Sequence, residues 1–314
     1  MQDFLIEISQ RTLVLITFAL FSVVMFSILE KALISHLELR HGNKKTKVGS
    51  FFLPFLEFKD ILNKTITLPN QNKFLFTIIP ILFLLNSIIV FSIIPIGENL
   101  AIFDTQYNLY HLIFFLFLQC IIIFLTTLVN KSSTKTFIVA KKIKFSLFYL
   151  FVFFLSFLIV SVFSSSANLN EIVLTQNPVY FLFPLFPIFI ICFIISIFTI
   201  KELYYYDGLF NSDYDSEYSG ILLLMFNLGK RLGVLSISGI IVTLFLGGYG
   251  GFLNPILQVT IYFLKVLLVS AFLILGVKLV LNNKLKVVIN VIFKVFFLIS
   301  IIWLLLISLM IFYR

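Results

Sequence analysis

The 314-residue chain is 61% apolar, holds 41 Phe and only 12% charged residues, and has a mean hydropathy of +1.12. Soluble domains carry about 25% charge, so the composition excludes one and leaves a polytopic membrane protein with short connections and no separate soluble catalytic unit. The net charge of +9 comes with no groove-reading basic motif; cations retained on the inner side of a bilayer produce the same balance.

The N-terminus, MQDFLIEISQR, puts Asp3 and Glu7 ahead of the first apolar run. It lacks the cationic start of a secretory signal and the Arg-rich bias of a transit peptide, so that run is expected to be retained as a span. Apolar runs bounded by polar clusters predict eight helices, near 8–29, 74–97, 109–129, 145–163, 179–200, 219–246, 257–281 and 287–312. Between the first two, SFFLPFLEFKDILNK (50–64) places Phe51, Phe55, Phe58 and Leu62 at three- and four-residue steps, with Glu57, Asp60 and Lys64 on another face. That pattern predicts an amphipathic helix lying in the interface or over the mouth of a cavity. Cys120 and Cys192 lie alone in apolar runs and read as packing residues. Pro184 and Pro187 interrupt the fifth span, and GGYGG (247–251) is a turn without the strand and helix of a phosphate loop.

Lys and Arg in the connections orient the chain. The stretch 30–73 has eight, from Lys31 and Arg40 to Lys73, 130–144 has five, and Lys284 and Lys286 mark the last turn. The connections at 98–108, 164–178 and 247–256 have none, so the basic loops face the cytoplasm or matrix. The connection 201–218 breaks the pattern: on the basic side, it sets Glu202, Asp207, Asp213, Asp215 and Glu217 against Lys201.

His36, His41 and His111 show no ligand spacing, and no nucleotide, flavin or hydrolase motif occurs, so no cofactor or metal is expected on this chain alone. The candidates are ionisable residues in or beside spans: Glu30, the acidic connection, Lys230 and Arg231 inside the sixth span, and Lys265 and Lys278 in the seventh. Such residues mark ion or proton routes or polar-ligand sites, although Lys278, near a span end, reads as snorkelling.

Glu217-Tyr218-Ser219-Gly220 and Phe245-Leu246-Gly247-Gly248 bracket the sixth span at the spacing of a known family. Lys265, Lys284 and Phe293-Lys294 fit its seventh-span pattern, and Leu29-Glu30-Lys31, Arg40, Gly42, Val48-Gly49, Asp60 and Lys64 fit its N-terminal one. The chain resembles subunit 1 of the proton-pumping NADH:quinone oxidoreductase, respiratory complex I. It departs from that family in carrying Lys230 and Arg231 where an acid and an aromatic stand, Phe293 where a Trp stands, no Pro after Gly42, and a looser acidic pattern after Lys201.

The resemblance implies an all-α polytopic membrane protein, about eight transmembrane helices plus an interfacial amphipathic helix. It is expected to be one membrane domain over 1–314, with matrix-side segments at 30–73 (carrying the amphipathic helix) and 201–218 (acidic). It further implies a multi-pass place in the mitochondrial inner membrane, ubiquinone as substrate, and NADH, FMN and iron-sulfur clusters on partner subunits. The expected partners are membrane-arm and quinone-site peripheral-arm subunits and lipids such as cardiolipin. Arg40, Phe51, Phe55 and Asp60 fall to the quinone entrance. Glu30, Glu202, Asp207, Asp213, Asp215, Glu217, Lys230, Arg231 and Lys265 fall to proton coupling, the cations pairing with carboxylates. Two rivals stand beside this: a stand-alone secondary transporter, which commonly shows internal repeats absent here, and a lipid-embedded assembly scaffold, which needs no buried charge.

Overall fold

A computed structural model describes residues 2–37, 49–65, 72–98, 105–129, 133–176, 179–204, 218–251, 254–282 and 286–312. Among these residues the secondary structure is wholly helical, as an apolar solvent requires, since a helix satisfies its own backbone. The elements are α1 (Gln2–Leu37), α2 (Gly49–Leu62), α3 (Lys73–Ile93), α4 (Asn108–Val129), α5 (Ser133–Ser164), α6 (Leu169–Thr175), α7 (Phe186–Tyr204), α8 (Gly220–Phe245), α9 (Pro255–Asn282) and α10 (Lys286–Phe312).

Seven of them are long and apolar enough to cross a membrane. The eighth expected span is α10, in which the described side chains run from Val295 to Leu309 as an apolar stretch; its 27 residues reach about 40 Å at 1.5 Å per residue. The amphipathic helix forms as α2. Three helices differ most from the sequence expectation. No Pro or Gly stops α1 before Leu37 or delays α5 beyond Ser133, so polar stretches around Lys31 and Lys141 are helical too. The fifth span starts at Phe186, seven residues late, because Pro184 and Pro187 remove backbone donors and are tolerated only in a first turn. The connection 164–178 contains α6, started by Asn168, whose side chain accepts from Asn170 N at 2.8 Å.

α8 is the central element: 94% of its apolar window is buried, and it packs on α1, α2, α3, α6, α7 and α9, most extensively on α3. The close approach has a local cause. A Cβ on Gly229 would stand 2.6 Å from Phe83 Cδ1, and one on Gly233 would stand 2.5 Å from Tyr204 Cζ. Small residues let membrane helices pack backbone to ring. Phe26, Phe83, Phe226, Ile241 and Phe245 fill the core around it.

Candidate functional site

Three elements meet at the beginning of α8. Tyr218, just ahead of the helix, stacks on Phe76 of α3 with centroids 4.1 Å apart and planes 13° apart, and meets Phe226 edge-on at 4.8 Å. Phe226 in turn lies 5.1 Å from Phe83, so four rings run along the α3–α8 seam. Ser219 Oγ donates to Thr65 O at 3.0 Å, tying the exit of α2 to the entry of α8. Further along, the Arg231 guanidinium sits 5.3 Å above the Phe58 ring of α2, a cation–π contact. The interfacial helix is thus fastened to α8 at two levels.

The expected coupling residues divide into groups. Glu30 on α1 (0% exposed), Lys230 (2%) and Arg231 (6%) on α8 are buried on helices that pack together. Glu30 lies seven residues before the end of α1 and Lys230 ten after the start of α8, about 10 and 15 Å in from the basic side at 1.5 Å per residue. Glu202 is half-buried at the end of α7, a helix that packs on α5. Of the expected quinone residues, Phe51 lies within α2, while Phe55 and Asp60 are exposed. Among the α2 side chains described, Phe58 and Ile61 are the ones partly buried. Arg40, Asp207, Asp213, Asp215 and Glu217 lie outside the described residues.

Lys265 has backbone partners that the sequence does not reveal. Its ammonium donates to Leu246 O at 2.8 Å and Gly248 O at 3.0 Å and faces the Tyr180 ring at 5.3 Å; among the described residues its partners include no carboxylate. A cation at the C-terminal end of a helix meets carbonyls that have no intrahelical donor, and Lys265 fills that role for α8. The turn it holds needs glycine: Gly247 (φ +70°) and Gly248 (φ +48°) are left-handed, with Tyr180 and Val173 where side chains would go. Gln176 completes the closure, donating to Thr243 O at 2.7 Å and accepting from Gly247 N at 2.8 Å.

Sequence reasoning missed these partners and a buried amide network between α3 and α4. There Asn86 Nδ2 donates to Gln119 Oε1 and, at 3.0 Å, to Phe115 O, and Gln119 Nε2 donates to Ser87 Oγ at 3.1 Å. Polar side chains inside apolar runs were its signal, since each needs a partner at membrane depth. Among the described residues no cluster of three His, Cys, Asp or Glu could hold a metal.

Comparison with known proteins agrees with this architecture. A family model described as NADH dehydrogenase matches residues 10–308. An NADH-quinone oxidoreductase subunit from Dehalococcoides mccartyi is 27% identical over 279 residues, covering 87% of this chain and 78% of its own. The NADH-ubiquinone oxidoreductase chain 1 of Yarrowia lipolytica is 24% identical over 251 residues, covering 76% and 72%. An NADH-quinone oxidoreductase subunit from Geobacter sulfurreducens is 25% identical over 272 residues, covering 78% of each. With a family model spanning nearly its whole length and identities this low, the chain belongs to the NADH dehydrogenase family as a divergent member of the line that includes the yeast chain 1 and its bacterial counterparts.

Proposed function

We propose that this chain is the quinone-site membrane subunit of a proton-pumping NADH:ubiquinone oxidoreductase. The observation that carries the reading is the fastening of α2 to the first half of α8, through Ser219–Thr65 and Arg231–Phe58. It sets an interfacial helix beside buried ionisable residues and next to the acidic connection. In this reading Arg40, Phe51, Phe55 and Asp60 frame the entrance, where an apolar quinone tail passes from lipid along aromatic side chains. Glu30, Glu202, Asp207, Asp213, Asp215 and Glu217 respond to charge created at the headgroup, because carboxylates in a poorly hydrated setting shift their protonation when a nearby charge changes. Lys230 and Arg231 take the place of the family's acid and aromatic, so on α8 the response is carried by cations.

The electrons come from partner subunits bearing NADH, FMN and iron-sulfur clusters, and this chain supplies no redox centre. Its partners are the other membrane-arm subunits and the peripheral-arm subunits at the quinone site, with anionic lipids such as cardiolipin around it. The location proposed is the mitochondrial inner membrane. Neutralising Asp213 and Asp215 together, as Asn, is expected to lower quinone reduction several-fold while the assembled complex stays intact on native gels; unchanged turnover in an assembled variant would overturn the coupling role. Recovery of the chain in a bacterial plasma membrane fraction would overturn the location alone.

A further inference from the structure

α1 and α8 pack together and run antiparallel, since α2, which follows α1, meets the first half of α8. Ring contacts fix their relative height. Phe18 and Phe21 of α1 lie 5.7 and 5.3 Å from Phe263 of α9. The neighbouring Tyr262 lies over α8 at Gly239, where a Cβ would stand 2.8 Å from its hydroxyl. From that common level, at about 1.5 Å per residue, Glu30 lies about 14–18 Å toward α2 on α1, and Arg231 about 12 Å toward α2 on α8. Side chains on a helix tilt toward its N-terminus. Because the two helices are antiparallel, Glu30 and Arg231 lean toward each other's level.

They also share a side. Arg231 turns to α2, its guanidinium over Phe58, and α1 packs on both α2 and α8. At about 100° per residue Arg231 stands about 160° around α8 from Gly233, the residue that faces Tyr204 of α7. That direction leads away from Glu202, at the end of α7, whereas Lys230, about 60° from Gly233, shares the α7 flank. Asp60 of α2 is exposed and α3 carries no acid. Among the described side chains around the first half of α8, Glu30, 0% exposed, is the buried carboxylate on the side of Arg231. Buried charges are costly alone and persist when paired. A planar guanidinium can lay one face on a ring and still offer its N–H edge to a carboxylate. We propose that Glu30 is the counter-ion of Arg231, and that the pair, covered by Phe58, is the clasp that seats α2 against α1 and α8. Glu30 is then a positioning residue for the interfacial helix. The clasp deepens the proposed function and rests on it only where quinone is the readout; the geometry of the pair is independent of that reading.

The test compares the assembled complex carrying E30Q, R231Q, K230Q, E30Q/R231Q, E30Q/K230Q or the exchanged pair E30R/R231E. It reads turnover, the Michaelis constant for a short-chain quinone and the rate of limited proteolysis around α2. E30Q and R231Q are each expected to raise the Michaelis constant several-fold and to speed cleavage around α2. The double variant E30Q/R231Q should be no worse than the worse single, and E30R/R231E should recover most of the loss. Losses that add in E30Q/R231Q would overturn the pair, since independent sites add, and coupling of Glu30 to Lys230 in place of Arg231 would overturn it too. Electron cryomicroscopy of the unmutated complex needs no variant. A Glu30 carboxylate oxygen within hydrogen-bond distance of the Arg231 guanidinium is expected, and a carboxylate out of reach would overturn the proposal even where the variants fail to assemble. The pair in place, with proteolysis and Michaelis constant unmoved in every variant, would overturn the seating role. The pair and coupled proteolysis in a preparation without quinone reduction would count against the proposed function and leave the clasp standing.

Discussion

The two ends of α8 are held in different ways. The closing end is fixed by hydrogen bonds to backbone: Lys265 to two carbonyls, Gln176 to a carbonyl and an amide, and two left-handed glycines with no space for side chains. Contacts described at the opening end include ring stacking, the Ser219–Thr65 bond and the Arg231–Phe58 cation–π contact. Removing a partner from buried backbone groups costs their full desolvation, whereas stacked rings and a cation–π contact loosen gradually. The closing end is therefore built as an anchor. The opening end, next to the acidic connection, is built to adjust.

The largest expected effect tests the seam between the two. Gly229→Val drives a side chain into the Phe83 ring; overpacking of this kind costs about 1–3 kcal/mol or more, and loss of assembled complex on native gels is the expected outcome. Next, Lys265→Met leaves Leu246 O and Gly248 O without their donor, a cost of about 1–3 kcal/mol. It should lower the thermal midpoint of the detergent-solubilised complex by several degrees with the Michaelis constant for quinone unchanged. If it changes quinone kinetics and leaves stability alone, the anchor assignment is wrong. Arg231→Gln, which gives up a cation–π contact worth about 0.5–2 kcal/mol, should reverse that pattern, keeping assembly and reducing turnover. Ser219→Ala is the mildest, about 0.5–1.5 kcal/mol for one hydrogen bond. Its expected signature is faster limited proteolysis around α2 with little change in melting; an unaltered cleavage pattern would show that the tether does not hold α2.

Hydrophobic runs and the alternation of basic connections made the spans legible, and the three-to-four spacing of Phe51, Phe55 and Phe58 made α2 legible. Boundaries were harder. The sequence shows where hydrocarbon begins, yet a helix continues past that point until something breaks it, as α1 does to Leu37 and α5 does from Ser133. Ionisable residues at membrane depth stood out by type, but their partners did not. Lys265 reads as a cation seeking a carboxylate until the fold puts backbone carbonyls in its reach. Gln176 carries no pattern at all, because its role depends on a turn 71 residues away.

The bond from Ser219 to Thr65 spans 154 residues of chain, which imposes an order on synthesis. At roughly 5–20 residues per second, α2 leaves the ribosome about 8–30 s before its hydroxyl partner exists. Of the two helices on which the described part of α2 chiefly packs, α1 alone exists in that interval, and the exposed Phe55, Leu56 and Leu62 of α2 are apolar enough to lie on the membrane surface. Seating of the interfacial helix is then a late event in biogenesis, triggered by insertion of α8, and a chain truncated before residue 219 should leave it unseated.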